Sequence, residues 1–297
     1  MKSSTGDKIL LSSIYTLLAL LAFLSFYPFW NAAVISFNNG TDTMKGGITF
    51  WPRQFSLENY RVVFEDNRLI NGFIISVLRT VIGTISSIAV TAIFAYGMSK
   101  SELIGRKPYM VLCVITMYFS GGLIPTFLLI RELHMFNTFW VMVIPGLISV
   151  WNMIIFRTFF KGIPAGLEES SKIDGCSNWG VLFRIILPLS GPVVATLALF
   201  TAVSHWNDWF TPSIYISDST LMPIQTKLQQ ILNSNIMSEQ MAQMDSAAQG
   251  RMNRMKAVTS KSLSMATMMV ATLPILCVYP FVQKYFVKGV MVGSLKE

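Results

Sequence analysis

The sequence predicts an all-α, polytopic membrane protein with six transmembrane helices. Of its 297 residues, 53% are hydrophobic and only 13% are charged, whereas soluble domains carry roughly 25% charged residues. A chain of this composition would expose large apolar patches if it folded in water. Long apolar runs alternate with polar segments, which is the pattern of helices that cross a lipid bilayer.

The first predicted span is the uncharged run 9–30. It is longer than the apolar region of a signal peptide and ends in aromatic residues, so we interpret it as an uncleaved span. Lys2 and Lys8 precede it, which favours a cytoplasmic N-terminus. The polar segment after it is expected outside the cell. Together, residues 1–69 are predicted to form one domain, made of the first helix and an outer loop.

Five further spans are predicted in the core domain 70–284, followed by a cytoplasmic tail at 285–297. Six spans put both termini in the cytoplasm, and the short basic segment 100–107 agrees with this orientation. Gly121, Gly122 and Pro125 are expected to break or bend the third span, and the Pro145-Gly146 pair the fourth. The predicted spans are 9–30, 70–98, 109–130, 138–160, 191–216 and 263–282.

Arg79 is the one charged residue inside the second predicted span. Charged side chains inside a membrane are costly, and they face protein, water or the headgroups. Arg79 lies near the outer end of its span, which favours snorkelling towards the headgroups. A role in lining a transport path or contacting a partner is the alternative.

The polar loop 163–188 separates the fourth and fifth spans. Pro164 suits the first position of a short helix of about 11 residues, and Glu168 and Glu169 lie where the helix dipole favours negative charge. Gly175 is expected to end this helix in a left-handed conformation. Ser177 or Asn178 then caps a second helix that runs to Pro188.

This loop carries a recognisable motif. Glu169-Ser170-Ser171, Asp174-Gly175 and Ile186-Leu187-Pro188 resemble the E-A-A-x-x-x-G…I-x-L-P loop of permease subunits in bacterial binding-protein-dependent ABC importers, with serines in place of both alanines. The sequence around the motif is similar to that of sugar permeases of the maltose G-subunit kind, and closest to that of the Lpl-type and alginate oligosaccharide groups. The resemblance implies the type I ABC importer permease fold, and it implies that the loop docks onto an ATPase through these residues: Leu167, Glu168, Glu169, Ser170, Ser171, Ile173, Asp174 and Gly175.

A second polar cluster lies in the fifth predicted span. Trp206, Asn207, Asp208 and Trp209 combine aromatic faces with hydrogen-bonding groups, which suits sugar rings, and polar residues within a span are candidates for function. Such a cluster is also typical of an aromatic belt where a helix leaves the membrane. We therefore predict either a substrate path or a belt at these four residues.

The long outer segment 217–261 is predicted to begin with an amphipathic helix after Pro223. The resemblance implies that this segment reaches towards a docked extracytoplasmic solute-binding protein. A solvated lid over the outer opening is the alternative.

The sequence contains no Gly-x4-Gly-Lys-Ser/Thr phosphate loop. It also has no metal-ligand spacing among its histidines and cysteines and no hydrolase-type catalytic arrangement. Its basic residues form no stripe suited to nucleic acid. We therefore expect no enzyme activity, catalytic residue, metal or cofactor in this chain, and expect ATP and Mg²⁺ to bind a separate ATPase.

The resemblance implies the transmembrane subunit of an ATP-driven importer for a sugar or oligosaccharide, including acidic units from a complex polysaccharide. The implied partners are a second homologous permease subunit, two ATPase subunits, the binding protein, the carbohydrate and the lipids of the bacterial cell membrane, but no nucleic acid. The alternative is a secondary carrier or channel driven by an ion gradient. Such carriers often contain internal repeats with broken helices at corresponding positions, and the sequence shows no such repeat.

Overall fold

The computed structural model describes residues 5–244, 259 and 261–277, and helices dominate these ranges. They contain no named strand, only an isolated antiparallel bridge between Asn38 and Phe55. The α-helices are α1 Thr5–Ser36, α2 Gly40–Thr43, α3 Glu58–Glu65, α4 Asn67–Ser99, α5 Arg106–Tyr118, α6 Leu123–Glu132, α7 Val150–Lys161, α8 Ala165–Ile173, α9 Asn178–Val181, α10 Leu187–Leu189, α11 Gly191–Asn207, α12 Phe210–Tyr215, α13 Ile224–Met244 and α14 Lys261–Cys277.

The chain divides into two compact units. One consists of Met1–Ile70 and Leu228–Leu273, and the other of Asn71–Lys227 and Pro274–Glu297. The division predicted from the sequence, with the tail 285–297 set apart, stays a prediction. The tail lies outside the described residues, as does most of the segment between α13 and α14.

A network of buried hydrogen bonds around Asn38 and Asn59 holds the first unit together. The Asn59 side-chain amide donates to the carbonyls of Ser36 and Asn38, each at 2.9 Å. Its side-chain oxygen accepts a 2.9 Å hydrogen bond from the Ser262 hydroxyl. The Tyr60 hydroxyl lies 2.7 Å from that of Ser36. These bonds join the end of α1 to α3 and to the start of α14.

The second unit has its main apolar core where α4, α7, the α9 region and α11 meet. Met153, Phe156 and Leu197 are almost completely buried there, together with Ala95 of α4 and Leu182. Small residues on α4 let the helices approach closely. This core holds α4 against the segment that carries the loop 163–188.

Three pairs of apolar helical segments bend sharply. Between α5 and α6 the bend is 112°, and Gly122 adopts a left-handed φ of 86° there. The segment Phe139–Gly146, which includes Pro145, meets α7 at 46°. The predicted breaks in the third and fourth spans are therefore confirmed. A third bend of 83° lies between Asn178–Leu189 and α11.

Among the described residues, fewer segments qualify as membrane spans than the six that the sequence predicts. Two helices, Gly6–Ser36 and Asn67–Ser99, are long and apolar enough to cross a bilayer, and up to five segments are if each bent pair counts as one. α14 has only 17 described residues, because the predicted sixth span, 263–282, runs past the described part of the chain. The structure thus supports a largely helical membrane fold without establishing six spans.

One local prediction is confirmed in the segment after Pro223. α13 begins directly after Pro223, where the amphipathic helix was predicted. Its residues Ile224 and Leu228 are buried, whereas Gln230 and Asn233 stay more open. The docking role of this segment stays a prediction.

Candidate functional site

The loop 163–188 folds as a short helix, a glycine corner and a second helix. α8 has nine residues, Ala165–Ile173, so it is slightly shorter than predicted. Pro164 is its N-cap, with an extended backbone, rather than its first helical residue. Gly175 has a φ of 81°, which confirms the predicted left-handed stop. The Ser177 side chain accepts the Gly180 N–H and caps the next helix, as predicted.

The second helix contains an irregularity that the sequence does not reveal. Asn178–Val181 is α-helical, Leu182–Ile186 follows as a π-helix, and Leu187–Leu189 continues to the 83° bend. π-helical turns are uncommon and frequently lie at functional sites. The turn lies between the glycine corner and α11, so both ends of this helix are points where the chain changes direction.

Glu168 anchors α8 to the end of α4. Its carboxylate forms ion pairs with Lys100 and with Lys172, the latter at 3.3 Å. The Tyr96 hydroxyl donates to the same carboxylate at 3.5 Å, and the Lys100 ammonium lies 4.1 Å from the centre of the Tyr96 ring. Glu168 therefore connects the loop to the helix that runs through the second unit.

Charge balance keeps this anchor ionised. Burial acts to raise the pKa of Glu168, but hydrogen bonds and charges from Lys100 and Lys172 outweigh it and hold that pKa below its ordinary value of 4.5. The hydrogen bond and the charge of Glu168 in turn raise the pKa of Lys172 above its ordinary value. At neutral pH the Glu168 carboxylate and the Lys172 ammonium are therefore both charged.

The remaining predicted loop residues divide into one packed position and several open ones. Ser171 is only 7% exposed, and its hydroxyl donates to the Leu167 carbonyl at 2.6 Å. A small residue fits this position, so serine replaces alanine without losing the close packing. The predicted contact residues that stay exposed are Leu167, Glu169, Ser170, Ile173, Asp174 and Gly175.

Ile173 is 87% exposed at the end of a short polar helix. Trp179 and Phe183, stacked with ring centres 6.1 Å apart, are more than half exposed nearby along the chain. Exposed apolar clusters are typical of surfaces that bind a partner or lie against lipid. The loop therefore offers exposed apolar side chains together with an exposed carboxylate, Glu169.

A polar cavity of about 390 Å³ lies in the second unit, within the range of about 300–1,000 Å³ found for ligand pockets. α4, α7, α11 and the Phe139–Gly146 segment contribute to its walls. The walls also include the apolar residues Val141, Met142, Pro145 and Phe200. The polar and charged side chains of the lining are Arg79, Ser87, Ser149, Asn152, Thr201, Ser204, His205, Asp208 and Thr211.

Arg79 and Asp208 form an ion pair at this cavity. One guanidinium nitrogen of Arg79 donates to the Asp208 carboxylate, and the other donates to the Asp208 carbonyl at 2.7 Å. The Arg79 side chain is 3% exposed, so snorkelling, the interpretation that its position in the sequence favoured, is wrong. The residue faces protein because its partner carboxylate lies at the end of α11, inside the fold.

Of the four residues predicted for a substrate path, the cavity lining includes Asp208. Trp206 is buried and packs edge-to-face on Phe73 at 5.7 Å between ring centres. Asn207 and Trp209 are exposed and do not line the cavity. The structure thus places one predicted residue at the cavity and leaves the path itself a prediction.

Path lining by Arg79 was an alternative that the sequence left open, and the sequence reasoning missed the remaining polar members of the lining. Asn152 lies in the fourth predicted span and donates to the Thr201 hydroxyl at 3.2 Å; an amide inside a span was a usable signal. His205 packs against Gly83, where an added Cβ would lie 2.7 Å from the His205 Nε2. No sequence pattern indicates that a glycine on α4 and a histidine on α11 are in contact.

The chain belongs to the family described as the binding-protein-dependent transport system inner membrane component, whose model matches residues 2–292. It is therefore a membrane-embedded permease subunit of an ABC transporter, a class of protein that is not itself enzymatic. The family match supports this interpretation over a secondary carrier or channel.

Individual relatives are similar along almost the whole chain. The chain is 41% identical over 286 residues to the polygalacturonan/rhamnogalacturonan transport system permease protein YtcP of Bacillus subtilis, covering 95% of this chain and 96% of the relative. It is 38% identical over 273 residues to the protein LplC of the same organism, covering 92% and 90%. Among solved structures, a chain of a bacterial ABC transporter that imports the acidic polysaccharide alginate matches with a TM-score of 0.86 and 25% identity, over 96% of this chain and 99% of that chain. The resemblance to Lpl-type and alginate permeases is confirmed.

Proposed function

We propose that this chain is one of two homologous permease subunits of an importer that carries acidic oligosaccharides into a bacterial cell. The observation that carries the proposal is the 41% identity, over 95% of the chain, to a permease named for polygalacturonan and rhamnogalacturonan transport. A structural neighbour named for import of the acidic polysaccharide alginate supports the same substrate class. One Bacillus relative and one solved transporter, both named for acidic polysaccharides, thus support the same substrate class.

In this proposal the chain crosses the membrane six times. α1 and α4 are two spans, the bent pair of α5 and α6 is the third, Phe139–Gly146 with α7 is the fourth, α11 is the fifth, and α14 begins the sixth. Both termini then lie in the cytoplasm, as does the loop 163–188. The outer segment after Pro223 faces an extracytoplasmic solute-binding protein.

Two separate ATPase subunits bind ATP and Mg²⁺. The loop 163–188 couples their ATP hydrolysis to movement of this chain. Its exposed face, with Glu169 and Ile173, contacts an ATPase, while Glu168 holds the other face against α4. Movement of the ATPases then displaces α8 and α4 together. Such a rigid-body change between two packings is a common switching mode of transporters.

Reconstitution tests the function as a whole. The chain is assembled in proteoliposomes with its partner permease, both ATPase copies and the binding protein, and ATP hydrolysis and oligogalacturonate uptake are measured. We expect hydrolysis that rises when the loaded binding protein is added, and uptake that requires ATP. Uptake by this chain alone, driven by an ion gradient, would contradict the proposal.

Two substitutions test the loop. Glu169→Lys reverses a free, exposed charge, and Gly175→Pro is incompatible with a φ of 81° and removes the N–H that donates to the Lys172 carbonyl. We expect both to lower substrate-stimulated hydrolysis about tenfold or more, the loss expected when a charged interface contact or a required backbone conformation is removed. The amount of inserted chain should not change.

Glu132→Lys is the matched control, because it reverses an exposed carboxylate at the end of α6, away from the loop. Its stimulated hydrolysis should equal that of the wild type. Normal transport by both Glu169→Lys and Gly175→Pro would show that the loop does not couple the chain to the ATPase.

A further inference from the structure

The guanidinium of Arg79 keeps hydrogen-bonding capacity at the edge of the cavity. An arginine side chain has five N–H donors, and the hydrogen bonds that Arg79 donates in the described part of the chain go to the carbonyl and the carboxylate of Asp208. The Arg79 Nε is buried and has no hydrogen-bond partner there. A buried ion pair with a purely structural role is expected to satisfy its donors more fully.

Asp208 has other bonds to rely on if Arg79 leaves it. Its Oδ1 accepts the backbone N–H groups of Phe210 at 3.1 Å and Thr211 at 3.0 Å, at the start of α12. These bonds use the oxygen that is not paired with Arg79. The Asp208 carboxylate would therefore remain hydrogen-bonded and partly exposed. If Arg79 bound another carboxylate instead, the charge of Asp208 would not be left isolated and buried.

One group of the cavity lining differs in kind from the hydroxyl and amide groups around it. Asn152, Thr201, Ser87 and Ser149 offer hydroxyl and amide groups, which suit the hydroxyls of any sugar. Arg79 is the lining's only guanidinium, and guanidinium groups bind carboxylates with two parallel hydrogen bonds. To a neutral sugar, Arg79 would offer only hydrogen bonds that a serine hydroxyl could also supply.

We propose that Arg79 is the carboxylate-binding residue of the cavity and that Asp208 occupies it in the resting state. When an anionic sugar unit passes, its carboxylate replaces that of Asp208 on Arg79, and Asp208 keeps its bonds to α12. No proton or covalent bond is transferred. The inference rests on the proposed function, since it assigns a residue of this chain to recognition of the acidic group.

The test uses the complete importer in proteoliposomes and two probes with the same sugar rings, trigalacturonate and its fully methyl-esterified form. Uptake of each is measured with the same binding protein, and the acid-to-ester ratio of each variant is divided by that of the wild type. Because every variant is measured with the same binding protein, this quotient removes the binding protein's own preference for the acid or the ester. Arg79→Gln is expected to lower it about tenfold or more, the size expected for loss of one charge-assisted pair of hydrogen bonds.

A second variant removes the resident carboxylate instead of the arginine. Asp208→Asn retains a side-chain oxygen for the N–H groups of Phe210 and Thr211 but no longer competes for Arg79. We expect it to lower the KM for the acid severalfold and to leave the KM for the ester unchanged. This variant decides the question if Arg79→Gln fails to assemble.

Arg61→Gln is the control, because Arg61 is an exposed arginine of α3 whose ion pair is with Glu65 on the surface. Its quotient should equal one. An Arg79→Gln importer that loses acid and ester uptake in equal proportion, or loses neither, would overturn the inference, as would an unchanged acid KM in Asp208→Asn. A wild-type importer that carries neither probe would instead overturn the proposed function, before any variant is compared.

Discussion

Neighbouring glutamates in α8 have different environments. Glu168 points to Lys100, Lys172 and Tyr96, whereas Glu169 is exposed. Consecutive residues of an α-helix are turned about 100° from each other, so a single turn presents one carboxylate to its own chain and one to the outside. This division suits a loop that is held from one side and contacted from the other.

The Glu168 anchor should weaken in acid. Because the pKa of Glu168 is held below 4.5 by its lysines, its contribution to stability is complete above that value and is lost as the pH falls through the lower, folded-state pKa. The thermal midpoint of the purified complex should therefore be higher for wild type than for Glu168→Gln at pH 7. The gap should close as the pH is lowered below 4.5.

The control for this titration is Glu132→Gln, which removes an exposed carboxylate. Its midpoint should follow that of the wild type at every pH. A difference in thermal midpoint between wild type and Glu168→Gln that stays constant from neutral to strongly acidic pH would mean that the ionised Glu168 carboxylate does not stabilise the complex through its lysines.

At the scale of elements, the joint between α1, α3 and α14 depends on one amide. The Asn59 side chain is 1% exposed and bonds to two carbonyls and one hydroxyl. Ser36 and Asn38 lie together where α1 ends, whereas Ser262 lies 203 positions after Asn59. The segment Ser56-Leu57-Glu58-Asn59-Tyr60 therefore acts as a structural joint between helices in the first unit.

Asn59→Ala should destabilise the first unit by about 2–4 kcal/mol, because it leaves buried carbonyls and a hydroxyl without their partner. Asn59→Asp should be at least as harmful, since it puts an acceptor in front of two carbonyl oxygens. Thermal unfolding of the purified complex measures both effects. Asn67→Ala, at an exposed asparagine that begins α4, should change the midpoint little. If Asn59→Ala and Asn67→Ala changed the midpoint equally, Asn59 would not be the residue that joins these helices.

Across the whole chain, the features predicted correctly are those with a local cause. Gly122, Pro145 and Gly175 restrict or free the backbone at their own positions, so the bends and the corner follow from the sequence. The pairing of Arg79 with Asp208 could not be predicted, since the two residues are 129 positions apart. Only the packing of α4 against α11 brings them together.

The motif in the loop 163–188 was recognisable for another reason. Its residues are consecutive, and a glycine corner between two capped helices requires particular residue types at particular positions. The cavity has no such signature. Its lining comes from five separate segments, each of which contributes one to five residues.

A last consequence concerns helical phase along α4. This uninterrupted helix carries Arg79, and Lys100 follows directly after its last residue; the two residues are about 32 Å apart along the axis at 1.5 Å per residue. One extra residue between them would rotate everything beyond it by about 100° and shift it by about 1.5 Å. The cavity and the loop could then no longer both keep their contacts.

An alanine inserted after Ala89 should therefore abolish substrate-stimulated ATP hydrolysis, whereas one inserted after Gly47, in an exposed turn with open space around it, should not. Hydrolysis by the reconstituted complex measures both, and full activity of the Ala89 insertion would show that α4 does not link the two sites. In an alignment of relatives, insertions and deletions should accordingly occur around 44–50 and be absent between 79 and 100. The spacing of those two positions would then be a fixed dimension of this permease.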